Sequence, residues 1–184
     1  MARLIAALVA LGALTIISAA EARQDDSRLD ALFERLVAAD DFAEARSIEA
    51  SIWRIWTEAG DDALDEHMVR GIIAMNRRNF DVALESFNAI VEADPDFAEG
   101  WNKRATLYFL MGRYDDSIRD VERTLALEPR HFGALSGMGL IVTELDDAKA
   151  ALAWFEQALE VNPHMPFIAL RVRILHEMLS GKPI

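Results

Sequence analysis

Three prolines recur at one fixed spacing, and this spacing constrains the fold more than any other feature of the chain. Pro95, Pro129 and Pro163 each follow a run of helical periodicity, and the differences 129−95 and 163−129 both give 34. A period of this length, with a proline closing each unit, is typical of a solenoid of helix-turn-helix repeats. The sequence therefore predicts an all-α solenoid of stacked helix pairs, with a C-terminal capping helix after the last pair.

The apolar residues between these prolines recur at helical spacing and predict seven helices. We expect them over residues 62–77, 80–93, 97–111, 114–127, 131–144, 147–160 and 165–179. Asp81, Asp115 with Asp116, and Asp146 with Asp147 fall where the second helix of each pair begins. A carboxylate there caps unpaired backbone N–H groups and meets the positive end of the helix dipole. Because the acids recur at every turn, capping is a better interpretation than a pair of catalytic carboxylates.

Residues 23–63 predict one further helix pair in front of the regular array. Leu29, Phe33 and Leu36 share one helical face, and a second helix carrying Trp53 and Trp56 ends near Gly60. The pair has no closing proline, so we interpret it as a degenerate N-terminal repeat, as is usual for a terminal unit.

Residues 1–22 have the pattern of a secretory signal peptide. Arg3 precedes an uncharged run, residues 4–20, and the small residues Ala20 and Ala22 flank Glu21 at the expected cleavage site. An uncleaved anchor in the inner membrane is the alternative, because the run nearly reaches spanning length. The sequence predicts a secreted protein, periplasmic in a bacterium with two membranes, that is not inserted in the membrane once the signal is cleaved.

Composition and charge exclude several classes of function. The net charge is −12 and there is no basic stripe, which argues against a nucleic-acid partner. No cysteine is present, so there is neither a disulfide nor a thiol nucleophile. His176 and Glu177 begin a zinc-protease pattern, but Ser180 stands where its second histidine is needed. The sequence predicts no enzyme: no catalytic residue, no metal ligands and no cofactor.

The repeat resembles the tetratricopeptide repeat (TPR), whose signature is a Trp-x2-Leu-Gly-x2-Tyr stretch followed by Ala-x3-Phe and Pro. In the middle unit the matching residues are Trp101, Arg104, Ala105, Tyr108, Ser117, Val121 and Pro129. The units before and after it match at His67, Arg70, Gly71, Ala74, Ala83, Phe87 and Pro95, and at Leu135, Met138, Gly139, Val142, Ala151, Phe155 and Pro163. The resemblance implies three repeats, 64–97, 98–131 and 132–165, followed by a capping helix and tail, 166–184. The small residues at three pairs of positions are expected where two helices approach closely.

The resemblance also implies a right-handed superhelix whose concave groove, lined by the first helix of each pair, binds a protein or peptide partner. On the family layout the partner-binding groove residues are Met68, Ile72, Met75, Asn102, Lys103, Thr106, Phe109 and Leu140. The groove has too few lysines, arginines and asparagines for the family's carboxylate clamp. Its apolar strip suits an amphipathic helix, although the last helix of the chain is an alternative occupant.

Two hypotheses of function follow. The first is a non-catalytic interaction module that binds a peptide or helix of an envelope protein in the groove, so that Phe109→Asp or Met75→Lys abolishes binding. The second is a structural subunit of an envelope complex, or a scaffold that associates with itself through Trp53, Trp56 or the last helix.

Overall fold

The computed structural model describes residues 23–181, and within this range it contains nine helices and no strand. The helices are α1 (Arg28–Ala38), α2 (Phe42–Thr57), α3 (Asp62–Asn76), α4 (Phe80–Ala93), α5 (Ala98–Leu110), α6 (Tyr114–Leu127), α7 (Phe132–Glu144), α8 (Ala148–Val161) and α9 (Pro166–Leu179). The seven helices expected from periodicity differ from the observed ones by at most one residue at either end. The all-α repeat fold is confirmed, while the predicted signal peptide, residues 1–22, lies outside the described residues.

Helices α3–α8 form three antiparallel pairs whose contacts depend on small residues. A Cβ added at Gly71 would lie 2.5 Å from a ring carbon of Phe87, and one at Gly139 would lie 2.4 Å from a ring carbon of Phe155. In the middle pair the Ser117 hydroxyl donates to the Ala105 carbonyl at 2.7 Å. The close approach expected at these positions is therefore confirmed.

The turn inside each pair has the same backbone conformation in all three repeats. Arg78, Gly112 and Asp146 all have positive φ, between 58° and 71°, although only one of the three is a glycine. The capping prediction is correct for Asp147, whose carboxylate accepts from the Ala150 N–H at 2.9 Å. It is wrong for the two earlier pairs: Asn79 and Arg113 hold the N-cap positions of α4 and α6 with no side-chain cap. The expected caps, Asp81, Asp115 and Asp116, lie in the first turn of those helices, where they meet the helix dipole.

The α1–α2 hairpin packs beside α5 and α7, and not in line with the array. Its apolar face forms a core with Phe132 at the start of α7, and Val161 and Met165 at the next repeat junction pack against that core. Polar contacts join the same regions: Arg130 pairs with Asp30 at 2.7 Å. A leading repeat would instead stack on α3, so this placement differs from the one expected for a degenerate first repeat.

The stacking surface of the first repeat is consequently open. Ile73, Leu107 and Ile141 occupy equivalent positions on successive first helices, because 107−73 and 141−107 both equal the repeat period. Leu107 and Ile141 are 0% and 1% exposed because a preceding helix pair covers them, whereas Ile73 is 46% exposed. The array therefore begins at α3 with a face that nothing among the described residues covers.

At the other end of the array, α9 packs on α8 and extends the stack. Ile168 and Leu175 enter a core with Ala151 and Phe155, so α9 covers the last pair as a capping helix and does not fold back into the groove. In residues 23–181 no helix has both the length and the apolar character needed to cross a membrane.

Candidate functional site

A groove runs across the first helices of the repeats, and its centre is a cavity of about 150 Å³ between α5 and α7. We call this the central cavity. Four of the eight predicted groove residues line it: Asn102, Thr106, Phe109 and Leu140. Gly133, Ser136 and Ile141 complete the wall formed by α7. The structure thus brings together the predicted site residues of the second and third repeats, except Lys103.

The three predicted groove residues of the first repeat do not line this cavity. Met68 is 2% exposed and belongs to the core that contains Phe87, so its assignment to the groove surface is wrong. The reason is helical geometry: Met68 lies one turn before Gly71, which faces the second helix of the pair. Ile72 and Met75 are half-buried against the same core. A charge at Met75 is therefore expected to destabilise the repeat as well as alter the surface.

The two polar groove residues, Asn102 and Lys103, belong to a buried cluster around Glu99. The Glu99 carboxylate forms an ion pair with Lys103 Nζ at 2.7 Å and accepts a hydrogen bond from Asn102 Nδ2 at 2.8 Å. It also lies 2.9 Å from His131 Nε2. The His131 Nδ1 atom accepts from the Ala134 N–H at 3.0 Å, so the ring hydrogen is on Nε2 and points at Glu99. Asn102 and Lys103 are therefore occupied inside the protein and are not free to bind a partner.

The same cluster fixes the charge of the carboxylate. Burial raises the pKa of Glu99, but the Lys103 charge and the His131 hydrogen bond offset this and lower the pKa to about 2. Glu99 is thus ionised at neutral pH although it is almost completely buried.

Two tryptophans of α2 cover this cluster and fill the groove beside the central cavity. The Trp56 ring stacks on His131, with 4.1 Å between centroids and 11° between planes. The Trp53 ring lies 5.1 Å from Lys103 Nζ, a cation–π distance. A Cβ at Gly133 would lie 2.7 Å from the Trp53 ring, so this glycine makes room for the indole. The protein's own hairpin occupies this part of the groove.

The groove continues onto α9, where it is open. Leu170 and Ile174 lie one repeat period beyond Ser136 and Leu140 (170−136 and 174−140), and they occupy the equivalent positions of the next first helix. Together with Phe167 and Thr143 they line a cavity of about 390 Å³, which we call the C-terminal cavity. Phe167, Leu170 and Ile174 are 59%, 42% and 43% exposed. The sequence indicated apolar residues in this helix, but it did not show which of them face the groove.

The hairpin contributes one edge of this open region. Phe42 and Arg46 at the start of α2 line a cavity of about 440 Å³ together with Leu140 and Phe167. Phe42 is exposed. An apolar surface therefore extends from Leu140 across α9, edged on one side by α2.

A further open region lies at the start of the array. A cavity of about 760 Å³ on the outer face of α3 is lined by Val69, Ile73 and Val82 among other residues.

In the described part of the chain no group of three or more His, Asp or Glu residues is placed to hold a metal ion. His176, which began the zinc-protease pattern, pairs instead with Glu156 at 2.9 Å.

Comparison with known proteins identifies the class of protein that this fold defines. The tetratricopeptide repeat family matches residues 68–117 and 103–166, which together span more than half of the chain. A TPR repeat-containing protein of Rhizobium etli is 36% identical over 154 residues, covering 84% of this chain and 76% of that protein. Subunit 7 of the anaphase-promoting complex of Dictyostelium discoideum is 29% identical, but the match covers 16% of its length. The chain belongs to the tetratricopeptide repeat family.

Solved structures show the same repeat fold at low sequence identity. The first TPR domain of Spaghetti (RPAP3), solved with an HSP90 peptide, has a TM-score of 0.61 at 20% identity. That match covers 65% of this chain and 94% of the other. MamA has a TM-score of 0.57 at 19% identity, with 64% of each chain covered.

Proposed function

We propose that this protein is a non-catalytic interaction module of the bacterial envelope, and that it binds an amphipathic helix of a partner envelope protein. The site is the open, C-terminal part of the groove, on α7 and α9. The stretch of groove beside the central cavity is not part of the site, because Trp53 and Trp56 of the same chain occupy it against Lys103 and His131.

One observation carries this proposal: three large apolar side chains of α9 are exposed side by side at groove positions. Phe167, Leu170 and Ile174 occur at i, i+3 and i+7 and line one cavity. A contiguous exposed apolar surface is a feature of protein–protein and ligand interaction sites. An apolar groove with a helical floor suits the apolar face of a helix.

Two other findings support the proposal. A solved relative of the fold, the RPAP3 domain, was captured with a peptide of another protein. The envelope location rests on the signal pattern of residues 1–22, and cell fractionation of the full chain tests it. Recovery of the mature protein in the cytoplasm would contradict that location but leave the binding site unaffected.

Photocrosslinking in cells tests the site. A benzophenone amino acid at Leu170 is expected to trap a partner protein, and Ile174→Glu in the same chain is expected to abolish the adduct by placing a charge in the apolar surface. The matched control carries the same crosslinker at Lys149, an exposed position on α8. An identical adduct from both positions, or one that survives Ile174→Glu, would contradict the proposed site.

The second candidate function is a scaffold that associates with itself. Trp56 is 1% exposed, so the protein does not associate with itself through that residue. The open stacking face at Ile73 favours this candidate instead, because its equivalents Leu107 and Ile141 are covered by a helix pair. Light scattering over a concentration series, with Ile73→Glu as the control variant, distinguishes the two: a monomer at every concentration excludes self-association.

A further inference from the structure

Arginines that are half-buried in this protein almost all have a carboxylate partner. Five arginines in residues 23–181 are partly covered. Four of them form ion pairs, between Arg23 and Asp94, Arg104 and Asp120, Arg123 and Asp96, and Arg130 and Asp30, at 2.5, 2.7, 2.9 and 2.7 Å. The fifth is Arg171 on α9, and no carboxylate of the described residues lies within ion-pair distance of it.

The guanidinium of Arg171 is held in place by aromatic rings. It lies 4.7 Å from the centroid of Phe167 and 5.9 Å from that of Phe155. Its Nε atom is buried without a hydrogen-bond partner in the described part of the chain. The side chain lines the C-terminal cavity beside Leu170 and Ile174. A positioned cation therefore faces an apolar cavity with its hydrogen-bonding capacity unused.

The equivalent position in the middle repeat shows what is missing. Lys103 and Arg171 are two repeat periods apart, since 171−103 is twice 163−129. Lys103 pairs with Glu99, four residues before it on the same helix, at 2.7 Å. Phe167 holds the place four residues before Arg171, so the cation on α9 has an aromatic neighbour where the cation on α5 has an acid.

We infer that Arg171 binds an Asp or Glu side chain of the partner, so that the ligand of the C-terminal cavity is an amphipathic helix with an acidic residue beside its apolar stripe. This inference rests on the proposed function. The guanidinium matches a carboxylate in charge and in its forked hydrogen-bond geometry, and such a pair is stronger than a neutral hydrogen bond. The helix carries two arginines, Arg171 and Arg173, against one acid, Glu177, in a chain of net charge −12.

The carboxylate belongs to a side chain and not to the end of the partner chain. Phe167 lies one turn before Arg171 on α9, and Ile174 lies about one turn after it, both exposed in the same cavity. A ligand that covers both apolar residues continues past the guanidinium on either side. Its acid is therefore an internal residue.

Selection from a display library of amphipathic helical peptides, with the full chain as bait, tests this. We expect the selected sequences to share an Asp or Glu at a fixed distance from two large apolar residues. A synthetic consensus peptide, amidated at its C-terminus, is expected to lose about tenfold in affinity with Arg171→Gln, and about the same when its own acid is replaced by the amide. Both changes together are expected to cost little more than either alone, since they remove the same contact.

Arg173→Gln is the matched control, because Arg173 is exposed and adjacent on the same helix; its effect is expected to stay within about twofold. The change on the peptide leaves the protein intact, so it tests the contact even if Arg171→Gln disturbs α9. Selected peptides that bind equally well without their acid overturn the role of Arg171 and leave the proposed function standing. A library that yields no groove-binding peptide overturns the proposed function itself, as does binding that is unaffected by Ile174→Glu.

Discussion

Two stretches of the groove, the one beside the central cavity and the C-terminal end, are built from equivalent residues of the repeat, yet the protein's own hairpin fills the first and the second is open. Beside the central cavity, Lys103 has its counter-ion in Glu99 and lies under the Trp53 ring. On α9, Arg171 lies against Phe167 and has no carboxylate partner among the described residues. The difference arises from the α1–α2 hairpin, whose tryptophans lie over Lys103 and His131, while only the start of α2 borders the cavity beside Phe167.

This comparison shows that the repeats alone do not determine where a solenoid can bind. Three similar units offer three similar stretches of groove, but a short non-repeating segment decides which of them remain accessible. The part of the groove that is accessible in this protein is therefore set jointly by α1, α2 and α9.

The largest expected effect on the free energy of unfolding comes from replacing a buried residue of the hairpin, in contrast to an exposed residue of α9. Trp56→Ala removes a fully buried ring that stacks on His131, and we expect the free energy of unfolding to fall by about 3–5 kcal/mol. Ile174→Ala truncates an exposed side chain and is expected to change it by less than about 0.5 kcal/mol. Urea unfolding followed by circular dichroism measures both. Equal losses in the two variants would show that α9 is as tightly covered as the hairpin core.

The dependence of the free energy of unfolding on pH, below pH 4.5, tests the buried cluster around Glu99. The folded-state pKa of Glu99 is about 2, below its ordinary value of 4.5, so ionisation of this group stabilises the folded protein. That contribution, about 3 kcal/mol, is complete above pH 4.5 and is lost as the pH falls toward 2. We expect wild type to exceed Glu99→Gln in stability at neutral pH and the gap to narrow below pH 4.5. A gap that is independent of pH would show that Glu99 is not ionised when folded.

Two neighbouring glycines of α7 differ in what a methyl group would meet, and one of them, Gly137, tests whether the central cavity takes part in binding. Gly139→Ala places a methyl group against Phe155 and is expected to cost about 1–3 kcal/mol. Gly137→Ala meets no atom within 4 Å, so its better helix propensity is expected to add up to about 1 kcal/mol. Gly137 lines the central cavity, and affinity for a ligand of α9 is expected to be unchanged when it is replaced. A marked loss of affinity in Gly137→Ala would extend the binding site into the centre.

The smallest expected effect concerns the ionic contact of the hairpin. Asp30 pairs with Arg130 across the hairpin and the array, but its side chain is largely exposed. Exposed pairs contribute about 0–1 kcal/mol, and salt screens them. Asp30→Ala is expected to lower stability by no more than this in urea unfolding, and by less in added salt. A larger loss would mean that charge, and not the Trp56 core, holds the hairpin on the groove.

The repeat architecture could be predicted from sequence because its signals are local. The regular spacing of the prolines and the small residues Gly71 and Gly139 report contacts between helices adjacent along the chain. The same holds for the helix ends, since apolar periodicity and turn residues mark them directly.

The hairpin's position could not be predicted, because it depends on contacts between residues far apart in sequence. Trp56 meets His131, which lies more than two repeats further along the chain, and no local pattern links the two. The burial of Met68 was missed because the family layout assigns its position to the groove, while the packing of α3 on α4 turns it inward. One available signal was the pair Lys103 and Glu99, whose i,i+4 spacing indicated that this cation already had a partner.

Contacts of the N-terminal segment with three successive repeat junctions have a mechanical consequence. Arg23 bonds Asp94, Arg130 bonds Asp30, and Asn162 lies within 3.4 Å of Glu49. A solenoid without such contacts is elastic, because each junction can bend a little. Here the hairpin restrains bending at those junctions. Elastic bending is therefore confined to the segment beyond the hairpin, and α9 is the part of the array with most freedom to adjust the pitch of the superhelix.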